Sequence, residues 1–214
     1  MTTVALVDDH PVFRQGLRLL FELHGDPQVV AETSHAHEAV EIVRKSRPDV
    51  VLLDVVFPDG VSGVSVAHEL LRRNPAERIL FVSMVKDVAR VADALESGAL
   101  GYATKDQSAE DLVEAVRTVA AGKSYLAATL QSDRIDAQRK ALRENARLGN
   151  LGSLTARERQ IFEMTVAGLT AAAIGQKLSI SRRTVETHRA RILSKLGVHS
   201  AAELVRIAAR AGML

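Results

Sequence analysis

Short apolar runs alternate with amphipathic stretches over the first 125 residues. The runs at 4–7, 28–31, 50–53, 79–82 and 101–103 are mostly continuous and β-branched, the pattern of strands buried on both faces. Helical periodicity is predicted between them, near 12–23, 36–45, 64–73, 88–97 and 109–121. In the first of these, Val12, Leu17, Leu20 and Phe21 keep an i, i+3/i+4 spacing on one helix face. Five strand-then-helix units predict a parallel, doubly wound α/β sheet, since parallel strands need crossover connections.

The pattern changes after residue 125. Residues 132–148 (SDRIDAQRKALRENARL) are polar and free of Gly and Pro, which predicts a helical linker over part of 126–152. Ile135, Leu142 and Leu148 give it a weak apolar stripe. From Ser153 onward only helices are predicted: 156–167, opened by a Thr155/Glu158 capping box and stopped by Gly168; 170–178; one capped by Ser181 and closed by Gly197 after Leu196; and 201–211. The expected organisation is an α/β domain at 1–125, a linker at 126–152 and an all-α four-helix domain at 153–214.

Charge sharpens that division. Up to Tyr125, 13 Lys and Arg face 19 Asp and Glu; beyond it, 15 face 7, so an acidic front carries a basic back suited to a polyanion. The absence of cysteine removes disulfides, thiolate catalysis and cysteine–zinc sites. No apolar run approaches the roughly 20 residues that span a bilayer. The Met1-Thr2-Thr3 start lacks a basic region followed by an apolar stretch, so a cytoplasmic location is expected.

Ligands of doubly wound sheets bind outside the carboxyl ends of the strands. Asp8 and Asp9 end the first strand, Asp54 the third and Ser83 the fourth, and Lys105 follows the fifth. Three converging carboxylates suit a hard cation such as Mg²⁺, and a carboxylate beside it can accept a phosphoryl group while Lys and a hydroxyl neutralise the oxygens. Singly, an Asp after a strand is usually a helix cap and Lys105 a solvated surface residue. His10, His35 and His37 show no metal-site spacing and read as surface or cap residues.

The segments VALVDDHPVFRQGLRLLFE, PDVVLLDVVFPDGVSG, ILFVSM and ALESGALGYATKD make residues 4–121 similar to the receiver domain of two-component response regulators, a flavodoxin-like (βα)5 fold. The resemblance implies that Asp54 is the phosphoacceptor. It implies that Asp8, Asp9, Asp54 and the Val56 backbone carbonyl hold Mg²⁺, that Lys105 contacts the phosphate, and that Ser83 and Tyr102 form the switch. Pro58 fits the pattern as well. Two positions depart from it: the PDGVSG loop is one residue longer than the common form, and Asp106 stands where many receivers have proline.

In the basic end, a helix-turn-helix is predicted over 171–196 with LSIS as its turn. On a helical wheel with Val185 at 0°, Ile192 and Leu196 fall at about 340° and 20° and form the buried stripe. Opposite lie Arg183, Thr187, Ala190, Arg191 and Ser194, between about 140° and 240°. Such a face mixes cations, hydroxyls and small side chains, as base readout requires. His188, at about 300°, reads as a packed structural histidine.

The LTxRE, AxxL, TVxTH and KLGV elements make 153–207 resemble the LuxR-type DNA-binding domain. That resemblance implies a major-groove face of Thr184, Glu186, Thr187, Ala190 and Arg191, with Ser181, Arg182, Arg183 and Lys195 on phosphates. Glu186 occupies a position often held by lysine.

The whole resembles NarL/FixJ-type regulators. A sensor histidine kinase would phosphorylate Asp54, drawing in Ser83 and burying Tyr102. The expected partners are double-stranded DNA, the kinase, RNA polymerase and a second copy in a homodimer; no enzymatic turnover of an external substrate is expected. Two other readings compete: a DNA-binding regulator whose receiver works without phosphorylation, and a Mg²⁺-dependent phosphotransfer enzyme.

Overall fold

The computed structural model describes residues 1–58 and 60–213, without the side chains of Asn145, Arg147, Leu148 and Gly149. Its contacts divide the chain into two compact units, Met1–Arg139 and Lys140–Leu214.

The first unit is an all-parallel sheet of β1 (Thr3–Val7), β2 (Gln28–Thr33), β3 (Val50–Leu53), β4 (Ile79–Ser83), β5 (Gly101–Thr104) and a two-residue β6 (Tyr125–Leu126). The strand order is β2-β1-β3-β4-β5-β6. Five α-helices connect or follow the strands: α1 (Pro11–His24), α2 (Ala39–Ser46, after a 3-10 turn at Ala36–Glu38), α3 (Gly63–Arg73), α4 (Val88–Glu96) and α5 (Ala109–Ala120). Val4, Leu6, Val50, Leu52, Leu80 and Val82 pack with Leu17, Phe21, Leu112 and Val116 in one core cluster. The intervening strand residues Ala5, Val7, Val51, Leu53, Ile79 and Phe81 are equally buried, which accounts for the continuous apolar runs. The doubly wound fold is therefore as predicted. β6 was not, because two residues are too few to carry a pattern.

Helix α6 (Ser132–Gly149) occupies the predicted linker. Ile135 is fully buried and Arg139 bonds Glu96 of α4 at 2.7 Å, which ties the first half of α6 into the N-terminal unit. Leu142 is half-buried, and the side chain of Leu148 lies outside the described residues.

The C-terminal unit holds α7 (Ala156–Val166), α8 (Ala171–Leu178), α9 (Arg182–Leu196) and α10 (Ala201–Arg210) around Ile161, Phe162, Ile174, Val185, Ile192, Leu196 and Leu204. Among the described residues, no helix is long and apolar enough to cross a membrane.

The capping box that opens α7 is also a junction. Glu158, buried, accepts hydrogen bonds from the Thr155 backbone N–H and hydroxyl, each at 2.9 Å, and from Lys195 Nζ of α9 at 2.6 Å. Lys195 first, then the Thr155 N–H, hold its carboxyl at about 2, below the ordinary 4.5. Because the folded value is depressed, the stabilisation is complete above about pH 4.5 and is lost as pH falls towards 2. Glu158→Gln is expected to lower stability at pH 7 by about 1 kcal/mol, the usual scale of a lost cap. It should also flatten this acid limb in thermal unfolding followed between pH 7 and 2.

Candidate phosphorylation site and DNA-binding surface

The strand register brings the predicted acidic residues level. Val7 pairs with Leu53 and Ser83 with Thr104, so Asp8, Asp54, Ser83 and Lys105 emerge along one edge of the sheet. The Asp54 N–H donates to Val7 O at 2.9 Å, and the Lys105 N–H to Ser83 O at 3.1 Å. Asp8 and Asp54 are buried and Asp9 is half-buried.

Lys105 neutralises this edge. Its Nζ stands 2.7 Å from both Asp8 Oδ2 and Asp54 Oδ2, with only 5% of the side chain exposed, so it is no solvated surface lysine. It also lies 4.9 Å from the centre of the Phe13 ring. Asp54 Oδ1 accepts from the Val55 N–H at 2.6 Å, while Oδ2 faces Lys105. Val56 is half-exposed and its main chain bridges to Ser62. Of the lengthened loop, Asp59 lies outside the described residues. Asp106 forms a surface ion pair with Lys86 at 2.6 Å, and this neighbour lowers its carboxyl pKa.

His10 is an exposed surface residue, as expected, and its ring also joins the acidic edge. Its side chain does not cap α1, although it occupies the N-cap position. Its Nδ1 instead stands 3.1 Å from Asp8 Oδ1, 2.9 Å from Asp9 Oδ1 and 3.6 Å from Asp54 Oδ2. The signal was adjacency: a residue next to two strand-end carboxylates shares their edge. Three carboxylates and one imidazole, with ligand atoms all within 4.8 Å of one another, are a donor set that fits a divalent cation.

Ser83 is buried, its Oγ 3.5 Å from the Val85 N–H. Tyr102 is fully buried and donates its hydroxyl to Val85 O at 2.7 Å; burial pushes the phenol well above its ordinary value. The ring packs beside Phe81, with 6.1 Å between the ring centroids.

Gly63 is a residue the sequence reading passed over. Its N–H donates to Val55 O at 2.8 Å, and a Cβ there would stand 1.9 Å from the Asp54 carbonyl oxygen. Gly63→Ala is expected to cost about 1–3 kcal/mol, as overpacking does. It should lower both the melting temperature and any phosphoryl labelling of Asp54.

On α9, Val185, Ile192 and Leu196 are buried, whereas Arg183, Thr187, Ala190, Arg191 and Ser194 are exposed, as the wheel predicts. Ser181 caps the helix through the Thr184 N–H at 3.0 Å, and both side chains remain exposed. Arg182 pairs with Glu186 at 2.8 Å. Lys195 is committed to Glu158, and so turns partly inward. His188 is half-buried, with Nδ1 enclosed and without a hydrogen-bond partner among the described residues.

Arg189, unremarked in the sequence, reaches back to Thr165 Oγ1 at 3.0 Å and Leu169 O at 2.7 Å, which fixes α9 against the end of α7. Gly175 admits the turn closely: a Cβ would meet Ile180 O at 2.7 Å. Arg189→Leu is expected to destabilise the C-terminal unit by about 1–3 kcal/mol, because it strips a donor from the buried Thr165 hydroxyl and from the half-buried Leu169 carbonyl. Chemical unfolding of the full chain reads this loss.

A parallel sheet with an acidic, lysine-bridged edge, joined to a helix-turn-helix unit, defines a phospho-receiver coupled to a DNA-binding domain. Residues 4–117 match the response regulator receiver domain, and residues 152–208 match the bacterial regulatory proteins of the luxR family. The chain belongs to the NarL/FixJ-type response regulators, which are DNA-binding transcriptional regulators of two-component systems.

The chain is 35% identical over 218 residues to the response regulator GacA of Pseudomonas viridiflava, covering 100% of this chain and 98% of that one. It is 32% identical over 209 residues to the nitrate/nitrite response regulator NarL of Escherichia coli strain K12, covering 94% and 92%. The crystal structure of a LuxR-family two-component response regulator from Aurantimonas sp. SI85-9A1 superposes with a TM-score of 0.57 at 34% identity, over 67% of this chain and 98% of that one.

Proposed function

We propose that a sensor histidine kinase phosphorylates Asp54 and that this modification controls dimerisation and DNA binding. The observation that carries the reading is the Lys105 ammonium bridging Asp54 and Asp8 at 2.7 Å on a buried sheet edge. An Asp54 carboxylate oxygen attacks the phosphorus of the kinase's phosphohistidine. The P–N bond breaks, and the imidazole leaves with its electron pair. Lys105 Nζ is placed to follow the charge onto the phosphoryl oxygens, and the Ser83 hydroxyl supplies a further donor. Asp8, Asp9, Asp54 and the Val56 carbonyl would hold Mg²⁺, which when bound offsets charge on carboxylate and phosphoryl oxygens.

The Val85 carbonyl links Tyr102 to the segment just after Ser83, so movement of Ser83 reaches the Tyr102 hydroxyl directly. In the output part, Thr184, Glu186, Thr187, Ala190 and Arg191 read the major groove, while Ser181, Arg182 and Arg183 meet phosphates. Lys195 joins them only by exchanging Glu158 for a phosphate. The working division is a receiver at 1–125, a linker at 126–152 and an output domain at 153–214. The setting is a cytoplasmic homodimer that meets RNA polymerase at its promoters.

Acetyl phosphate with Mg²⁺ tests the switch, read by mass and by oligomeric state. Wild type should gain one phosphoryl group and dimerise, and Asp54→Asn should do neither. Absence of label from wild type would sink the proposal in favour of a phosphorylation-independent receiver, and label that persists in Asp54→Asn would sink it by moving the acceptor to another residue. On target DNA, Arg191→Ala should cost about 1–3 kcal/mol if its guanidinium reads a base. A uniform loss on all sequences would instead place it on the backbone.

A further inference from the structure

We infer that His10 supplies a nitrogen ligand to the divalent cation held by the acidic edge, and that the site consequently favours a borderline transition ion such as Mn²⁺ over Mg²⁺. The inference rests on the reading of that edge as a cation site and adds a ligand and a preference to it.

The spacing of the donors carries the argument. Octahedral ligands at about 2.1 Å from a cation stand about 3 Å apart when adjacent and about 4.2 Å when opposite. His10 Nδ1 lies 2.9 Å from Asp9 Oδ1 and 3.1 Å from Asp8 Oδ1, which are adjacent-ligand separations. Asp54 Oδ2 follows at 3.6 Å. With all ligand atoms within 4.8 Å of one another, one coordination sphere accommodates the set after shifts of a few tenths of an ångström.

The contacts His10 makes without a cation are mutually inconsistent. Lys105 Nζ stands 3.0 Å from Nδ1 and has only protons to offer, while the carboxylate oxygens around the same nitrogen only accept. One ring nitrogen cannot accept from the ammonium and donate to carboxylates at once. Asp9 Oδ1 is enclosed and has no hydrogen-bond partner among the described residues, despite the 2.9 Å approach of His10. A cation among these atoms would turn the His10–Asp8 and His10–Asp9 contacts into ligand–ligand separations, provided that the Lys105 ammonium moves away from Nδ1.

His10 is also positioned to bind without rebuilding the site. Its backbone N–H donates to Asp8 Oδ1 at 2.7 Å, which fixes the residue, while 56% of the side chain remains open to arriving ions. Imidazole suits borderline first-row ions, whereas Mg²⁺ selects oxygen and water.

The test uses Mn²⁺ as the probe on the full chain, with pulsed electron paramagnetic resonance to detect nitrogen-14 coupled to the metal. The chain has 7 histidines, so His10→Ala and His10→Gln identify the source, and Asp9→Asn reports on the site itself. The expected result is a nitrogen coupling in wild type that disappears in both His10 variants. Their Mn²⁺ affinity should fall by about tenfold, with Mg²⁺ affinity little changed. Mn²⁺ bound in an Asp9-dependent way with no nitrogen coupling would overturn the role of His10 and leave an oxygen-only cation site standing. If no Asp9-dependent Mn²⁺ binds, the cation site falls, and the inference with it.

Discussion

Three carboxylates brought to one edge of a parallel sheet repel one another, and the N-terminal unit is organised around containing that repulsion. At separations below 4.8 Å each ionised pair costs about 3–4 kcal/mol at an effective dielectric constant near 20. Lys105 counters two of the charges directly at 2.7 Å, and the Val55 N–H holds one oxygen of Asp54. On the proposed reading the remaining negative charge is the property the site offers: it would attract a cation and present a nucleophilic oxygen to a phosphoryl group. Level strand ends, the close approach of α3 at Gly63 and the buried stem of Lys105 are all conditions for keeping those charges together.

The same containment explains how a local charge change can travel. Tyr102 is buried as a neutral phenol, and its hydroxyl is fastened to the Val85 carbonyl just beyond Ser83. A phosphoryl group on Asp54, as proposed, would compete for Lys105 and Ser83 and so act on the segment that holds the phenol. On the proposed reading the enclosed ring need not enter the core, because a change in its hydrogen bond to Val85 O would carry the signal. At the carboxyl end of α4, Glu96 bonds Arg139 of α6, and the helix then runs on to residues of the second unit, where Glu144 pairs with Arg210.

Much of this was legible in the sequence because it depends on periodicity and on strand ends. Continuous apolar runs gave five strands to within two residues, and the carboxyl-end rule then located Asp8, Asp54, Ser83 and Lys105. What escaped depends on distances that no pattern encodes. His10 is set apart from an ordinary helix-cap residue only by which way its ring turns. Gly63 and Gly175 matter through a carbonyl oxygen lying where a methyl group would go. β6 is held by two rungs of pairing with β5 rather than by any propensity of its own.

Helix α9 shows where wheel analysis stops and side-chain reach begins. Its buried stripe followed from three positions, yet the cations on it divide by partner rather than by angle. Arg189 spends its guanidinium on Thr165 and Leu169, and Lys195 spends its ammonium on Glu158, so both hold the recognition helix to the rest of its unit. Arg182 is paired with Glu186 on an exposed surface, where such a pair is worth little and yields readily to a phosphate. Arg183 and Arg191 lie on the face opposite the buried stripe. The polyanion-binding capacity implied by the basic C-terminal half thus falls on fewer side chains than its net charge suggests, because part of that charge is used to orient the helix that carries the rest.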